Sequence, residues 1–137
     1  MVAVEKTLVI IKPDAVCRKL VGRIVQRFED KGFEIVAMKM LHISKSLAQQ
    51  HYQQHKNKSF YESAVEHIQL GPALVMVLEG RDAIQVVRQM VGRTFGNEAE
   101  VGTIRGDFAL DEFNLVHASD SVQTAHKEMS LFFSNGS

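Results

Sequence analysis

The hydrophobic positions along this chain change their period repeatedly, and each change marks an element. Thr7 to Ile11 (TLVII) is a compact, largely β-branched run closed by Lys12-Pro13-Asp14, so it reads as a buried strand ending in a turn. Leu20, Val21, Ile24, Val25 and Phe28 then recur at helical spacing, and Gly32 supplies the stop. Phe33 to Leu41 (FEIVAMKML) returns to strand character. Ser46 with Gln49 and Ser59 with Glu62 match the capping box, so two helices are expected to start there. The second carries Phe60, Ala64, Val65 and Ile68 on its apolar face and breaks at Gly71-Pro72. Ala73 to Glu79 (ALVMVLE) is another strand. Asp82 can cap a helix bearing Ile84, Val87, Met90 and Val91, which Gly92 can end.

Arg93 to Glu112 has no such period, and four of the nine glycines fall between Gly92 and Gly106, which suggests a working loop. Asn114 to Val116 reads as a short strand. Asp120 with Gln123 resembles another cap, before a helix with Val122, Ala125, Met129 and Phe132 on one face. Setting aside the middle helix pair and the last helix, the order is β-α-β-β-α-β. That order predicts an α+β, ferredoxin-like sandwich: an antiparallel sheet with helices packed on one face, plus an extra helix pair and a C-terminal helix.

Composition adds bounds rather than detail. A chain of 137 residues, 45% hydrophobic and 23% charged, is expected to form one domain spanning 1–137. Sixteen Lys and Arg balance sixteen Asp and Glu, which counts against nucleic acid as the main ligand. The single cysteine, Cys17, cannot form an internal disulfide and fits a reducing compartment. The first apolar run is too short for a membrane span and lacks the pattern of a cleaved leader, so a cytoplasmic protein is expected.

Six histidines are candidates for chemistry. His51 and His55 are four apart on an expected helix and share a face, a spacing that can hold a metal. But HYQQH lacks the glutamate of HExxH and no third ligand offers itself, so a solvated or capping pair is expected. His67 and His126 sit in helical runs and read as surface residues. His117 differs, lying at a strand end beside a helix start and close to the glycine-rich loop. A neutral imidazole there can be a nucleophile, or the residue can simply pack or cap. Ser119 and Asp120 suggest a hydrolase triad, yet neighbours in one short turn rarely reach that geometry and no GxSxG is present; capping is the better reading. No GxxxxGK[ST] and no GxGxxG occur, so phosphates would have to be held by side chains: Lys12, Arg88, Thr94 and Arg105 are the candidates. Taken singly, each also reads as a surface residue.

TLVIIKPDAV, HYQQHKNKSFY, VRQMVGRTFGNEAEVGTIRGDF and NLVHASDSVQTAHKE, in that order and at these separations, resemble the nucleoside diphosphate kinases, from about Val4 to Phe133. The NxxHxSDS element together with GTIRGDF is the most specific part. The resemblance implies ping-pong transfer of a γ-phosphate from a nucleoside triphosphate, mainly ATP, to nucleoside diphosphates through His117. It implies that Lys12, Tyr52, Arg88, Thr94, Arg105 and Asn114 surround the sugar and phosphates, and that Phe60 stacks on the base. Ser119 and Glu128 would sit behind the histidine, with Glu128 orienting the ring. Mg²⁺ would ride on the nucleotide phosphates, with no protein ligands of its own. A homo-oligomer is implied, a hexamer first, with tetramer and dimer open.

Three departures from the family pattern stand out. Gly96 occupies a position usually held by proline, in a loop that typically joins subunits, which bears on assembly strength. The stretch ALDEF, 109–113, is one residue shorter than is common and bears on the wall beside the nucleotide. Ser59 replaces a proline before Phe60, with a small effect expected because Ser59 also caps. The chain also ends at Ser137 without the longer tail found in many relatives.

Overall fold

The computed structural model describes residues 4–111 and 113–133. Expectations about the chain start, Glu112 and the end at Ser137 lie outside them. Strands β1 (Val4–Ile11), β2 (Glu34–His42), β3 (Pro72–Arg81) and β4 (Val116–Ala118) form one antiparallel sheet in the order β2-β3-β1-β4. Helices α1 (Pro13–Cys17) and α2 (Val21–Lys31) join β1 to β2. The pair α3 (Lys45–His51) and α4 (Tyr61–His67) joins β2 to β3, α5 (Ala83–Val91) and α6 (Ile104–Phe108) join β3 to β4, and α7 (Val122–Phe133) follows. This is the βαββαβ sandwich with an added helix pair and a last helix.

Side-chain alternation divides the sheet between two cores. Val9, Ile11, Leu74, Met76, Leu78, Val116 and Ala118 pack with Ile24 and Phe28 of α2 and Val87 of α5. Leu8, Ile10, Ala73 and Val75 face the other way, toward Ala48, Val65 and Phe132 of α3, α4 and α7. The added helices therefore cover the sheet face that the two core crossovers leave open. That is why TLVII reads as a continuous apolar run: a strand covered on both faces has no polar side.

Several expected boundaries moved, each for a local reason. Lys12-Pro13-Asp14 opens a helical turn rather than a simple reversal, because proline's fixed φ suits the first helical position and its missing N–H costs nothing there. Ser44, not Ser46, caps α3; its Oγ accepts the Leu47 amide at 3.1 Å, while Ser46 lies inside the first turn. Ser59 does not cap α4, whose first turn follows Phe60 and has no side-chain cap. Asp82 precedes α5 with φ 49° and leaves its carboxylate out of the cap; Glu5 of β1 accepts the Ile84 amide instead, at 3.1 Å. Ser121, not Asp120, accepts the Thr124 amide, at 3.0 Å. Part of the expected loop is helical because Thr103 caps α6, accepting the Gly106 amide at 3.0 Å and donating to Glu100 O at 2.6 Å.

Gly96 packs closely against the backbone that follows α6. A Cβ on Gly96 would lie 2.3 Å from the Ala109 carbonyl oxygen, and the Gly96 amide donates to Asp111 O at 2.9 Å. Ala109 thus occupies the space that a residue-96 side chain needs. Restoring the family's usual proline, Gly96→Pro, removes that hydrogen bond and forces overpacking. We expect a loss of ~2–4 kcal/mol of stability, read as a lower denaturant midpoint at unchanged m-value.

Candidate functional site

The site begins with a backbone irregularity. Leu115 is fully buried and holds φ 73°, a conformation rare for a bulky side chain. The Val116 amide closes a tight turn onto Asn114 O at 2.8 Å, and the Lys12 amide donates to Leu115 O at 2.9 Å. The turn fixes where β4 starts, two residues later than the apolar pattern suggests. His117 therefore lies within the strand, opposite Ile10, not beyond its end. Its neighbours Val116 and Ala118 point into the core of α2 and α5. Period two sends His117 to the opposite face, where α3 and α7 pack.

On that face Glu128 of α7 meets the ring. Its Oε2 lies 2.9 Å from His117 Nε2, and its Oε1 accepts the Ser119 hydroxyl at 2.6 Å. The Ser119 oxygen in turn accepts the Leu8 amide at 3.2 Å, tying the carboxylate to the central strand. A carboxylate accepts, so Nε2 carries the ring hydrogen and Nδ1 keeps its lone pair. The arrangement holds one tautomer and one ring orientation. Side-chain exposure is 23% for His117 and 7% for Glu128, so the histidine is reachable and its anchor is not.

His51 is not the solvated or capping residue expected from HYQQH. It ends α3 on the same buried face as Ala48, and its ring packs edge-on against His117 with centroids 4.5 Å apart. Tyr52 and Phe132 enclose it further. Among the described residues its Nδ1 has no hydrogen-bond partner, and it lies 3.7 Å from Glu128 Oε2. Burial, then the neighbouring His117, Lys12 and His55, pushes its pKa well down, so it stays neutral. His55, four residues on, is half-buried and sits beside Phe60 instead.

Positive charge gathers at the mouth. Arg105 donates to Val116 O at 2.8 Å and to Gly92 O at 3.1 Å, and Arg88 donates to Ala118 O at 3.1 Å. The two guanidinium groups thus grip the carbonyls on either side of His117. Lys12 Nζ donates to Asn114 Oδ1 at 3.0 Å, and Asn114 Nδ2 donates to Thr94 O at 2.9 Å. Desolvation, then Arg105, lowers the Lys12 pKa to about 8, with Asp14 opposing. Desolvation and then Arg88 lower that of Arg105 to about 10. Crowded cations of this kind favour an incoming polyanion.

Lys12, Arg88, Arg105, Asn114, His117, Ser119 and Glu128 are therefore drawn together from β1, α5, α6, the β4 strand and α7. Tyr52 closes α3 against His51, and burial, with Glu128 and Asp14, pushes its phenol pKa up, so it stays protonated. Thr94 joins through its backbone oxygen, while its side chain is exposed. Phe60 stands apart at the start of α4, 49% exposed. Sequence reasoning missed His51 and the Leu115 turn. The helical spacing of Ala48 and His51 was a usable signal for the first; nothing local marked the second. The expected apolar stripe of α7 is also revised: Val122 is 45% exposed, and Glu128 takes a place on the buried face with Ala125 and Phe132.

Comparison with known proteins bears on this site. Residues 5–137 match the family model described as nucleoside diphosphate kinase. A protein of that name from Methanocaldococcus jannaschii is 55% identical over 130 residues, covering 94% of this chain and 93% of the relative. One from Pyrococcus abyssi is 56% identical over 133 residues, covering 94% and 84%. Among solved structures, a halophilic nucleoside diphosphate kinase from Halobacterium salinarum in complex with CDP superposes with TM-score 0.94 at 43% identity, over 97% of this chain and 90% of that one. A Borrelia burgdorferi nucleoside-diphosphate kinase, a transition state mimic with bound vanadate and ADP, gives TM-score 0.90 at 36% identity, over 96% and 88%.

Proposed function

The chain belongs to the nucleoside diphosphate kinase family, and from that premise we propose how its own residues carry out the transfer. It is a phosphotransferase that moves the γ-phosphate of a nucleoside triphosphate to a nucleoside diphosphate. In our reading His117 Nδ1 attacks the γ-phosphorus in line. The Nδ1–P bond forms as the bond to the β-γ bridging oxygen breaks, and the diphosphate leaves with that electron pair. A second diphosphate then reverses the sequence with its own terminal oxygen. The observation that carries this is the commitment of Nε2 to Glu128 at 2.9 Å, which leaves the other nitrogen free. Positive charge grows on the ring as Nδ1 bonds to phosphorus, and the Glu128 carboxylate, held by Ser119, stabilises it.

Lys12, Arg88 and Arg105 offset the charge spread over the equatorial oxygens of a loose transition state. Asn114, Thr94 and Tyr52 would bound the sugar and phosphates. Phe60, exposed beside His55, offers a face for any base, which suits broad base use with ATP as main donor. Of the cleft groups named, Glu128 alone is a carboxylate, and it is engaged by His117 and Ser119, so they offer Mg²⁺ no carboxylate cage. The ion would arrive on the β- and γ-phosphates and neutralise part of their charge.

The test is covalent labelling. With γ-labelled ATP and Mg²⁺, label should stay on the protein through base, be lost in acid, and pass to added GDP. Label that survives acid would point to a hydroxyl such as Ser119 instead.

Lys12 makes the reading sensitive to pH. Above about pH 8 the free enzyme loses the Lys12 proton, so kcat/KM should fall on that limb. Stability moves the other way: between about pH 8 and 10.5 the unfolded chain binds the proton that the native state has shed, so this residue's contribution rises with pH. Comparing Lys12→Met with the parent in both measurements isolates the two slopes.

We also infer a homo-oligomer, with a hexamer favoured, working in the cytoplasm. Edge strand β2 presents Val36, Met38 and Met40, each more than 40% exposed, a row that another copy can cover. Met38→Glu with Met40→Glu should reduce the particle mass measured by light scattering. A free, exposed Cys17 suits a reducing compartment. Among the described residues no helix is long and apolar enough to cross a membrane.

A further inference from the structure

His51, His117 and Glu128 each offer a ligand atom within 4.8 Å of the others, and His51 Nδ1 and His117 Nε2 are the nitrogens that face Glu128 Oε2. Two imidazoles and one carboxylate are a donor set that Zn²⁺ takes readily, with a fourth position left for water. A tetrahedral ion with ligands at ~2.1 Å spaces its donors by roughly 3.4 Å. Glu128 Oε2 already stands 2.9 Å from one nitrogen and 3.7 Å from the other, so only small shifts are needed. The transfer reaction gives the His51 nitrogen no task. It is buried, aimed at the carboxylate and without a hydrogen-bond partner among the described residues, an unusual state for a polar atom with nothing to bind.

We propose that this triangle binds a borderline-soft divalent cation of the Zn²⁺ type, and that occupation switches the enzyme off. The switch is tautomeric. Transfer needs hydrogen on Nε2 and a lone pair on Nδ1. A metal on Nε2 displaces that hydrogen, and the neutral ring then carries one on Nδ1. The ring's charge is unchanged, but the nucleophilic lone pair is gone. Mg²⁺ does not do this, because a hard ion prefers oxygen and keeps its waters. The inhibitory consequence rests on Nδ1 being the attacking atom; the metal site itself does not.

The two parts are tested separately. Co²⁺ added to metal-free protein should give the visible bands of a tetrahedral site at one equivalent, and Zn²⁺ should displace it. X-ray absorption at the zinc edge of the unmodified protein should show two imidazole ligands. Buffered free Zn²⁺ that saturates this site should lower phosphoenzyme labelling by Mg²⁺ and ATP at least ~10-fold, with full recovery on chelation. His51→Gln should weaken zinc binding at least ~100-fold, since losing a ligand costs no less than losing an outer-shell partner, whereas His55→Gln should not. Zinc that binds His51→Gln as tightly as the parent, or an absorption spectrum without two imidazoles, overturns the site. Saturating zinc that leaves labelling intact overturns the switch. Metal-free protein that takes no label at all refutes the histidine relay, and the cobalt spectrum still decides the site.

Discussion

Replacing His117 by alanine should abolish phosphoenzyme formation and lower nucleotide exchange by at least ~10⁴-fold. The expectation follows from a free Nδ1 lone pair on a ring that is both anchored and reachable. Ser119, which shares Glu128 with His117, is fully buried and spends its proton on that carboxylate. His51 is buried behind the catalytic ring. Neither can inherit the phosphate. The fold should survive, because β4 is held to Ile10 through backbone and the His117 side chain is partly exposed. Quenched-flow labelling reads the covalent step, and circular dichroism confirms folding. A His117→Ala protein that still accumulates acid-labile label would show that the nucleophile lies elsewhere.

Arg105→Ala should cost about 10²–10³ in kcat/KM, the range for removing one preorganised donor from a developing anion. Arg105 also bridges Val116 O and Gly92 O, joining the strand of His117 to the end of α5. It thus positions the histidine, and in the proposed reading it also faces the phosphate. Arg105→Lys should recover only part of the loss, since a single ammonium cannot span both carbonyls and a phosphoryl oxygen. Arg88 makes one such contact and is exposed, so Arg88→Ala should cost less. Steady-state kinetics with both arginine variants check the order. Equal losses would mean that the bridge contributes nothing.

Much of this was legible beforehand because it is local. The runs TLVII and ALVMVLE, the 3.6-residue recurrence through Ile24 and Phe28, and the glycine stops announce strands and helices that the fold then uses. His117 was legible through its resemblance motif, and Glu128 with it. The caps were less so: the capping-box pattern pointed to Ser46, and only the entering chain direction decides that the Ser44 hydroxyl meets the Leu47 amide. Gly96 looked like a loss of rigidity. The fold shows that it also fits against the Ala109 backbone, a contact that no local pattern marks.

Sequence alone determined the inventory: a βαββαβ order, a histidine close to a glycine-rich loop, and a set of cations without a phosphate-binding loop. Those follow from periodicity and residue chemistry, which any stretch of chain carries with it. Tertiary structure decided which nitrogen of His117 is free, that His51 turns inward to meet it, and that Arg88 and Arg105 clasp the carbonyls beside it. These depend on β4 pairing with β1 and on α3 and α7 closing over one face. Contacts between distant segments exist only after the chain has folded, so no local pattern can record them.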